Sequence, residues 1–383
     1  MRIAIFSDTF LPQINGVAHV AYASALSLKK SGHEVCVFTV SRKKECEESV
    51  RGAFQIFSLP SLPARVYPGE RITLPLGFSL RAVRKWKPDI IHSHTPFSVG
   101  WEAVLAANIF KIPLVGTHHT FFDHYVHHVG VKGQWAKKIS WMYVRTYYNR
   151  CHTVVSPSEA LASELKLYGL KRPIEILPNG IDTDFFKSVS NDVEKQGCRK
   201  MFGVAFPTIV YMGRLSYEKN IDECLAAFKN ILDSFPQAHF LVVGDGPERA
   251  RLEKKASDVG LGKQILFVGF HKGQKLLEAL HAADVFVTAS TSENMPLSVL
   301  EAMAAGLPVV APRALGMPEI VKDGENGFLV EPHNIKEMAE KIIRLFREDG
   351  LRRSFSQTSR TLSLTHQDKD QGRLLDLLYK KIQ

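Results

Sequence analysis

A chain of 383 residues, 45% of them hydrophobic and 23% charged, has the composition of an ordinary globular protein and the length of two to three domains. Its net charge of +10 predicts an anionic partner: an anionic membrane surface, a phosphorylated ligand or nucleic acid. Nucleic acid is the least supported of the three, because no helix-turn-helix, zinc-finger or RNA-recognition signature accompanies the charge. No apolar stretch approaches the length of about 18 residues that spans a bilayer.

The cysteines and the amino-terminal residues indicate the compartment. Five cysteines are scattered without metal-ligand spacing, which is typical of a reducing compartment, and Cys36 falls within a predicted buried strand. The apolar start Met1–Phe6 leads directly to Asp8 with no cleavage segment, which favours a first strand over a signal peptide. We therefore expect a cytoplasmic protein.

The first half of the chain alternates predicted strands and helices. Residues 2–7 form a strand, 18–30 a helix and 35–40 a second strand, and this βαβ order predicts a parallel sheet with ligands at the carboxyl ends of its strands. Gly16 lies in the first βα loop, where a glycine lets the backbone approach a phosphate or sugar, although turn chemistry alone also explains it. Further strands are predicted at residues 54–59, 89–94, 113–116, 151–155 and 174–177.

Several histidines follow predicted strands, at the edge where this architecture places its chemistry. They are His92, His94, His118 and His119. A structural or solvated histidine explains each of them singly, but we expect the pair after strand 113–116 to include a functional residue. His124, His127 and His128 lack the cysteine or acidic partners of a metal site, so no metal is predicted.

A basic, aromatic helix is predicted from about residue 133 to residue 150. It carries Trp135, Lys137 and Lys138, and Tyr125 precedes it. Aromatic rings interleaved with cationic side chains suit the plane of an anionic membrane, so these four residues are candidates for membrane or acceptor contact. The alternative is an amphipathic helix that packs on the core and leaves a solvated basic face.

The second half repeats the alternation after an aperiodic, charged stretch, residues 187–199, which we interpret as a domain boundary. Its strands are predicted at 208–212, 239–243, 265–268, 285–288, 307–311 and 328–330. The tail, residues 368–382, is an amphipathic helix that can cross back to the first half. The sequence therefore predicts an α/β fold of two Rossmann-like αβα domains with a cleft between them, residues 1–187 with 368–383 and residues 200–367.

The stretch Ala289–Ala302 joins a predicted strand to a helix start. Ser292 or Asn294 is available as the helix cap, with Pro296 near the first turn. The exposed N–H groups of such a helix start, together with the helix dipole, form a place for a phosphate.

Two glutamates of this stretch can face the carboxyl end of the preceding strand. Glu293 lies in the loop and Glu301 two helical turns further on, so one can hold hydroxyls of a sugar and the other hydroxyls of a ribose. The alternative is that Glu293 stabilises the helix start by its charge and Glu301 is a solvated helix residue.

Taken together, the motifs of this chain resemble those of the retaining sugar-nucleotide glycosyltransferases of family 4 type, which have the GT-B fold. The resemblance covers nearly the whole chain. Its segments are Asn15-Gly16-Val17, Thr117–Thr120, Pro178–Asp182, Gly213-Arg214 with Lys219, Gly244–Pro247, Glu293 to Glu301 with Ala302–Val310, and Pro318–Val321 with Gly324–Gly327. Within the family, His118–Tyr125 most resembles the bacterial α-glucosyl and α-galactosyl diacylglycerol synthases.

The resemblance implies a role for each matched side chain. Arg214 and Lys219 clamp the donor diphosphate, whose negative charge grows as it departs. Glu293 holds hydroxyls of the donor sugar, and Glu301 holds those of the ribose. His119, rather than His118, touches the sugar near the anomeric carbon. We therefore group His119, Arg214, Lys219 and Glu293 as the catalytic set.

The resemblance also implies backbone contacts to the donor. Gly16 lets the amino-terminal loop approach the diphosphate, and Gly244 belongs to the donor-binding set. Backbone N–H groups of one further segment lie near the β-phosphate. That segment is Asn294, Met295, Pro296 and Leu297.

The chemistry implied by the family differs from that of glycoside hydrolases, which use two carboxyl groups as acid and base or nucleophile. A diphosphate leaving group needs no acid, so both glutamates are binding residues. Retention is explained by front-side attack, with the leaving phosphate taking the acceptor proton. The family typically needs no metal, and the only small-molecule requirement is the nucleotide-sugar donor.

The leading hypothesis is transfer of an α-linked hexose, glucose from UDP-glucose, to a lipid such as 1,2-diacylglycerol at the inner face of the cell membrane. One alternative is GDP-mannose-dependent transfer to phosphatidylinositol or another lipid, and another is a soluble acceptor. A non-catalytic sugar-nucleotide-binding protein is disfavoured by the intact set of charged residues. A dinucleotide oxidoreductase is disfavoured because no Gly-x-Gly-x-x-Gly fingerprint is present. The oligomeric state is left open.

Overall fold

The structure of the chain, a computed structural model, describes residues 1–13, 15–41, 52–63, 71–120, 134–189 and 191–383; the side chains of residues 134, 136 and 137 lie outside this description. The chain divides into two compact units. The first comprises Met1–Gly180 with Asp368–Gln383, and the second comprises Ile181–Gln367.

The first unit is built on a parallel sheet whose strands follow the order β3-β2-β1-β6-β7-β8-β9. Most of these strands are buried along their length, which is why they appear in the sequence as short apolar runs. The strands are β1 Arg2–Phe6, β2 Glu34–Val40, β3 Gln55–Leu59, β6 Ile90–Ser93, β7 Leu114–Thr117, β8 Thr153–Ser156 and β9 Ile174–Ile176; β4 Leu62–Pro63 and β5 Arg71–Ile72 form a small antiparallel pair. The order of strands reverses at β1, which lies between β2 and β6, and such a switch point is where open α/β sheets bind ligands.

The helices of the first unit connect these strands and cover the sheet. Ser158, the N-cap of the helix after β8, accepts a hydrogen bond from the Leu161 N–H at 3.1 Å. The described helices are α1 Gly16–Lys30, α2 Leu80–Trp86, α3 Ser98–Phe110, α4 Gln134–Tyr148 and α5 Glu159–Leu167.

The second unit repeats the plan with a parallel sheet of strand order β12-β11-β10-β13-β14-β15. Its switch point lies at β10, between β11 and β13. The strands are β10 Thr208–Met212, β11 His239–Val243, β12 Ile265–Gly269, β13 Val285–Val287, β14 Val309–Pro312 and β15 Gly327–Val330. The helices are α6 Asp192–Phe202, α7 Ile221–Leu232, α8 Arg249–Asp258, α9 Gln274–Ala282, α10 Leu297–Ala304, α11 Met317–Ile320, α12 Ile335–Arg347 and α13 Asp349–Ser363.

The carboxyl-terminal helix α14, Asp368–Ile382, belongs to the first unit and packs against α1, so the predicted return of the tail to the first half is confirmed. A Cβ added at Gly372 would lie 1.9 Å from Ser27 Oγ, so the two helices meet where only a glycine fits. Leu375, Leu378 and Tyr379 fill the core between α14 and the sheet.

One element departs from the prediction. The charged stretch that we interpreted as an aperiodic boundary contains helix α6, capped by the Asn191 side chain and ended by Gly203 at φ 66°. The buried face of α6 includes Arg199, so its hydrophobic residues do not form the continuous apolar pattern by which a helix is predicted. Arg199 lies 2.6 Å from Asp284, which also accepts a hydrogen bond from the Thr208 N–H at 2.9 Å. An ion pair therefore takes the place that an apolar contact fills in most such helices.

Candidate functional site

The loop after β13 leads into α10 and holds the candidate carboxylates of the second unit. Pro296 is the N-cap of α10 and provides no side-chain cap, so the expectation that Ser292 or Asn294 caps the helix is wrong. Asn294 is instead buried, 6% exposed, and Ser292 Oγ lies 3.4 Å from Ser290 Oγ. The first N–H groups of α10 consequently depend on groups other than a cap side chain, which suits a bound anion.

Lys219 and Glu293 come together in the second unit although 74 positions separate them. Lys219 Nζ lies 2.6 Å from Glu293 Oε1, and both side chains are largely buried, with 18% and 19% exposed. Lys219 ends the short 3₁₀ turn Tyr217–Lys219, and the next residue, Asn220, donates from Nδ2 to the Ala289 carbonyl at 3.2 Å. The two loops are therefore held together by a hydrogen bond from a side-chain amide to a backbone carbonyl as well as by the ion pair.

Glycines let the neighbouring loops of this site approach one another closely. A Cβ added at Gly244 would lie 1.9 Å from the Gly213 carbonyl oxygen. Leu215 N–H donates to the Asp245 carbonyl at 2.9 Å, which continues the contact. Arg214 lies between these two contacts with an exposed side chain, while its own carbonyl accepts from Tyr211 Oη at 3.1 Å. The backbone on which Arg214 stands is thus rigidly placed.

A contact that the sequence analysis missed supports the Glu293 loop. Gly316 N–H donates to the Glu293 carbonyl at 3.3 Å, and a Cβ added at Gly316 would lie 1.7 Å from the Asn294 carbonyl oxygen. Gly316 has an ordinary φ of −82°, so space rather than backbone conformation requires a glycine there. A glycine followed by Met317-Pro318-Glu319 is the signal in the sequence, but its partner is distant along the chain.

Glu301 lies within α10 and is half-buried. Burial raises the pKa of its carboxyl group to about 8. Within the part of the chain that the structure describes, no hydrogen bond to this carboxyl group is found. This carboxyl group is therefore largely neutral at physiological pH. A ligand that donates hydrogen bonds to it would favour its ionised form.

The four candidate histidines of the first unit have different surroundings. β6 and β7 are neighbours, so their carboxyl ends bring His94 and His119 together, with His94 Nδ1 3.2 Å from His119 Nε2. His118 is fully buried and its Nδ1 lies 3.3 Å from Tyr148 Oη, which is the setting of a core residue. His119 keeps part of its ring accessible, and burial lowers its pKa to about 4, so it is neutral at physiological pH.

Gly16 is the first residue of α1 and is exposed. Asn15 caps the helix by accepting from the Ala18 N–H at 2.8 Å. A Cβ added at Gly16 would meet no described atom within 4 Å. Among the described residues, no atom crowds the start of α1 at this position.

Helix α4 has an exposed face in which apolar and basic side chains mix. Trp135, Lys138, Ile139 and Met142 are exposed at three- and four-residue spacing, with Trp135 59% and Met142 52% exposed. The opposite face is buried in the core and includes Trp141, Val144, Tyr147 and Tyr148. The Lys137 side chain and Tyr125 lie outside the described residues. Among the residues that are described, no helix is both long enough and apolar enough to cross a membrane.

Each of the two units is built on a parallel sheet flanked by helices, which is the architecture predicted for the GT-B fold. The family model "Glycosyltransferase Family 4" matches residues 14–185, and "Glycosyl transferases group 1" matches residues 202–362. The chain belongs to the glycosyltransferase family that these models describe.

Two curated relatives are alpha-monoglucosyldiacylglycerol synthases. The chain is 33% identical to the one from Streptococcus pneumoniae, over 81% of this chain and 71% of the relative. It is 31% identical to the one from Acholeplasma laidlawii, over 90% of this chain and 88% of the relative. These similarities confirm the resemblance to glucosyldiacylglycerol synthases that the motifs predict.

Solved structures confirm the fold. HepE from Anabaena, crystallised with UDP, superimposes with a TM-score of 0.82 at 19% identity, covering 100% of both chains. Sucrose-phosphate synthase from Thermosynechococcus elongatus superimposes with a TM-score of 0.83 at 22% identity, covering 100% of this chain and 98% of the other. At these identities the likeness concerns architecture alone.

Proposed function

We propose that the protein transfers glucose from UDP-glucose to a membrane lipid such as 1,2-diacylglycerol, with retention of the α configuration and without a metal. The observation that carries the transfer chemistry is the Lys219–Glu293 pair at 2.6 Å beside the uncapped start of α10. The names of the two synthases described above support the choice of sugar and acceptor. The enzyme would act at the inner face of the cell membrane as a peripheral protein.

In the proposed donor site, cationic residues bind the diphosphate and carboxylates bind the hydroxyl groups. Arg214 and Lys219 bind the diphosphate, and the N–H groups at the start of α10 lie toward its β-phosphate. Glu293, which is paired with Lys219, accepts hydrogen bonds from sugar hydroxyls, and Glu301 accepts them from the ribose diol. Gly16 and Gly244 give the backbone access, and His119 donates a hydrogen bond to the sugar.

The rate acceleration follows from electrostatics. As the bond between the anomeric carbon and the diphosphate breaks, negative charge grows on the leaving oxygen, and fixed cations stabilise that state more than the ground state. The departing phosphate can take the acceptor's proton, so no protein acid is required. His119, neutral at physiological pH, contributes a hydrogen bond rather than a charge.

The lipid acceptor is supported by a second apolar surface beside α4. Leu74, Leu76 and Phe78 are exposed to 57%, 69% and 44% in the segment between β5 and α2. Both surfaces adjoin the loop before α3, since Tyr143 Oη donates to the Pro96 carbonyl at 2.6 Å and Thr73 N–H donates to Ser98 Oγ at 3.1 Å. Apolar side chains with basic neighbours at one end of the unit are suited to an anionic bilayer.

The proposal is tested by donor and acceptor panels. Uridine and guanosine sugar nucleotides are incubated with the full chain, with and without vesicles of diacylglycerol mixed with anionic lipid. Release of UDP together with a new glucolipid, only when vesicles are present, is the expected result. Turnover with GDP-mannose alone, or turnover that ignores lipid, would contradict the assignment of donor or acceptor respectively.

The raised pKa of Glu301 predicts pH-dependent donor binding. Ribose hydroxyls that donate to the carboxylate lower its pKa in the complex, so binding releases a proton and affinity rises with pH. With a pKa of about 8 in the free protein, the Kd for UDP-glucose is expected to fall about eightfold from pH 7.0 to pH 8.5. Titration calorimetry measures the Kd at each pH. The control is Glu301→Gln, whose Kd should be higher and independent of pH. Parallel pH profiles for both proteins would contradict the role of Glu301.

The surface of α4 predicts a loss of membrane affinity on neutralisation. Each basic residue near an anionic surface contributes about 1 kcal/mol, so Lys138→Gln with Arg145→Gln should weaken binding to anionic vesicles about thirtyfold. The matched control neutralises Lys254 and Lys336, which are exposed on the second unit. Cosedimentation with phosphatidylglycerol-containing vesicles distinguishes the two pairs. Equal binding by both double variants would assign α4 to the core alone.

A further inference from the structure

A column of three histidines runs inward from His119 in the first unit. The rings of His94 and His119 are stacked with centroids 5.4 Å apart, and those of His92 and His94 with centroids 4.4 Å apart. His92 and His94 are buried, with 0% and 2% exposed. Burial lowers the pKa of all three, to about 3 for His92 and about 4 for His119. The column is therefore neutral at physiological pH, and its hydrogen bonds depend on tautomers.

The position of the proton on His94 follows from the surroundings of its second nitrogen. A neutral imidazole has one nitrogen that donates and one that accepts. His94 Nε2 is buried and has no hydrogen-bond partner in the described part of the chain. A proton there would be a buried donor without an acceptor, which is rarer and more costly than a bare acceptor. His94 therefore carries its proton on Nδ1, the nitrogen 3.2 Å from His119 Nε2.

The contact with His94 determines the tautomer of His119. Since Nδ1–H of His94 donates to Nε2 of His119, neutral His119 carries its own proton on Nδ1. Its Nε2 is occupied as an acceptor, so it is not available as a base. In this tautomer Nδ1–H is the donor of the His119 ring.

The column is anchored to the carboxyl-terminal helix. His92 Nδ1 lies 2.5 Å from the hydroxyl of Tyr379 on α14, and His92 Nε2 lies 2.6 Å from Thr117 Oγ1 on β7. Tyr379 is fully buried. Both nitrogens of His92 are thus held, and its ring fixes the plane on which His94 stacks. Through His92 and His94, the hydroxyl of Tyr379 on α14 therefore helps to position the ring of His119, which follows β7.

We propose that His94 is a positioning residue that sets the Nδ1–H tautomer and the orientation of His119, and that Tyr379 holds this arrangement through His92. The effect on catalysis rests on the proposed role of His119 at the donor sugar. The tautomer itself does not rest on that role. His119 then acts as a fixed neutral donor and not as a general base.

Nitrogen-15 NMR of the full-length protein with labelled histidine measures the tautomer, and His119→Gln identifies the His119 signals. We expect the wild type and His94→Asn to show the Nδ1–H tautomer, because the Asn amide can donate from about the place of Nδ1. His94→Leu is expected to shift His119 toward Nε2–H. Its kcat should fall about tenfold with little change in the donor KM, and His94→Asn should restore most of it.

Tyr379→Phe is a second variant that keeps the ring in the core and removes only the hydroxyl, and it decides the case if His94→Leu does not fold. A smaller Nδ1–H population of His119 is expected. An Nε2–H tautomer in the wild type, or an unchanged Nδ1–H tautomer in His94→Leu or Tyr379→Phe, would overturn the proposal. If the expected tautomers are seen but no sugar is transferred to any acceptor, the positioning stands and the proposed function fails.

Discussion

Lys219→Ala is expected to lower kcat for sugar transfer about a hundred- to a thousandfold, the loss typical of removing one group that stabilises transition-state charge. Lys219 Nζ lies 2.6 Å from Glu293 Oε1, so the cation is held beside the proposed donor site. The loss should appear mainly in kcat, because the charge that Lys219 stabilises grows during bond cleavage. Initial rates of UDP release at saturating UDP-glucose measure it.

The control for this change is Lys254→Ala on the same unit. Lys254 is 74% exposed and pairs with Asp258 at 2.6 Å, and such surface pairs contribute little. It removes the same charge from the same domain and should leave kcat within about twofold. Near-normal turnover in Lys219→Ala, with an unchanged melting temperature, would rule out its role at the diphosphate.

A double-mutant cycle measures the interaction between Lys219 and Glu293 separately from the effect of each residue alone. Glu293→Gln alone should lower activity and leave the fold intact. Combined with Lys219→Ala, it should cost less than the sum of the two single effects, because each variant already breaks the contact that the other would break. Additive losses would mean that the two residues act on the donor independently.

The architecture was readable from the sequence because its signals are local. Buried strands such as Ile3–Phe6 and Leu241–Val243 appear as apolar runs, and the alternation with helices fixes a parallel sheet. Helix α6 was missed since its buried face carries Arg199, whose charge is matched by Asp284, a distant residue just before β13. A pattern of apolar positions does not contain that information.

For the candidate site too, the sequence indicates individual residues but not the contacts between them. His94, His119, Lys219 and Glu293 were found because residues at strand ends stand out in a βα pattern and match family motifs. Their pairing was not found, because the contact of His94 with His119 depends on the register of two strands. Whether these residues act as assigned stays a prediction for kinetics to test.

Gly316 is required by a tertiary contact that cannot be predicted from the sequence. Its backbone conformation does not require a glycine, since a φ of −82° suits any residue, yet a Cβ would lie 1.7 Å from the carbonyl oxygen of Asn294, which is distant along the chain. Gly316→Ala must therefore move the loop that carries Glu293 by about an ångström or shift its own helix. A displacement of that size in a catalytic group can cost about a hundredfold in rate. We expect a loss of that order in kcat, with a folded protein.

The matched control for Gly316→Ala is Gly197→Ala, which adds the same methyl group within α6. A Cβ at Gly197 meets no described atom within 4 Å, and alanine favours a helix interior by up to about 1 kcal/mol. That variant should be slightly more stable and fully active. If Gly316→Ala also kept its kcat, the loop would tolerate the shift, and the placement of Glu293 would not depend on the glycine. If it lost kcat while Lys219→Ala did not, the loop backbone rather than the lysine–glutamate pair would carry the chemistry.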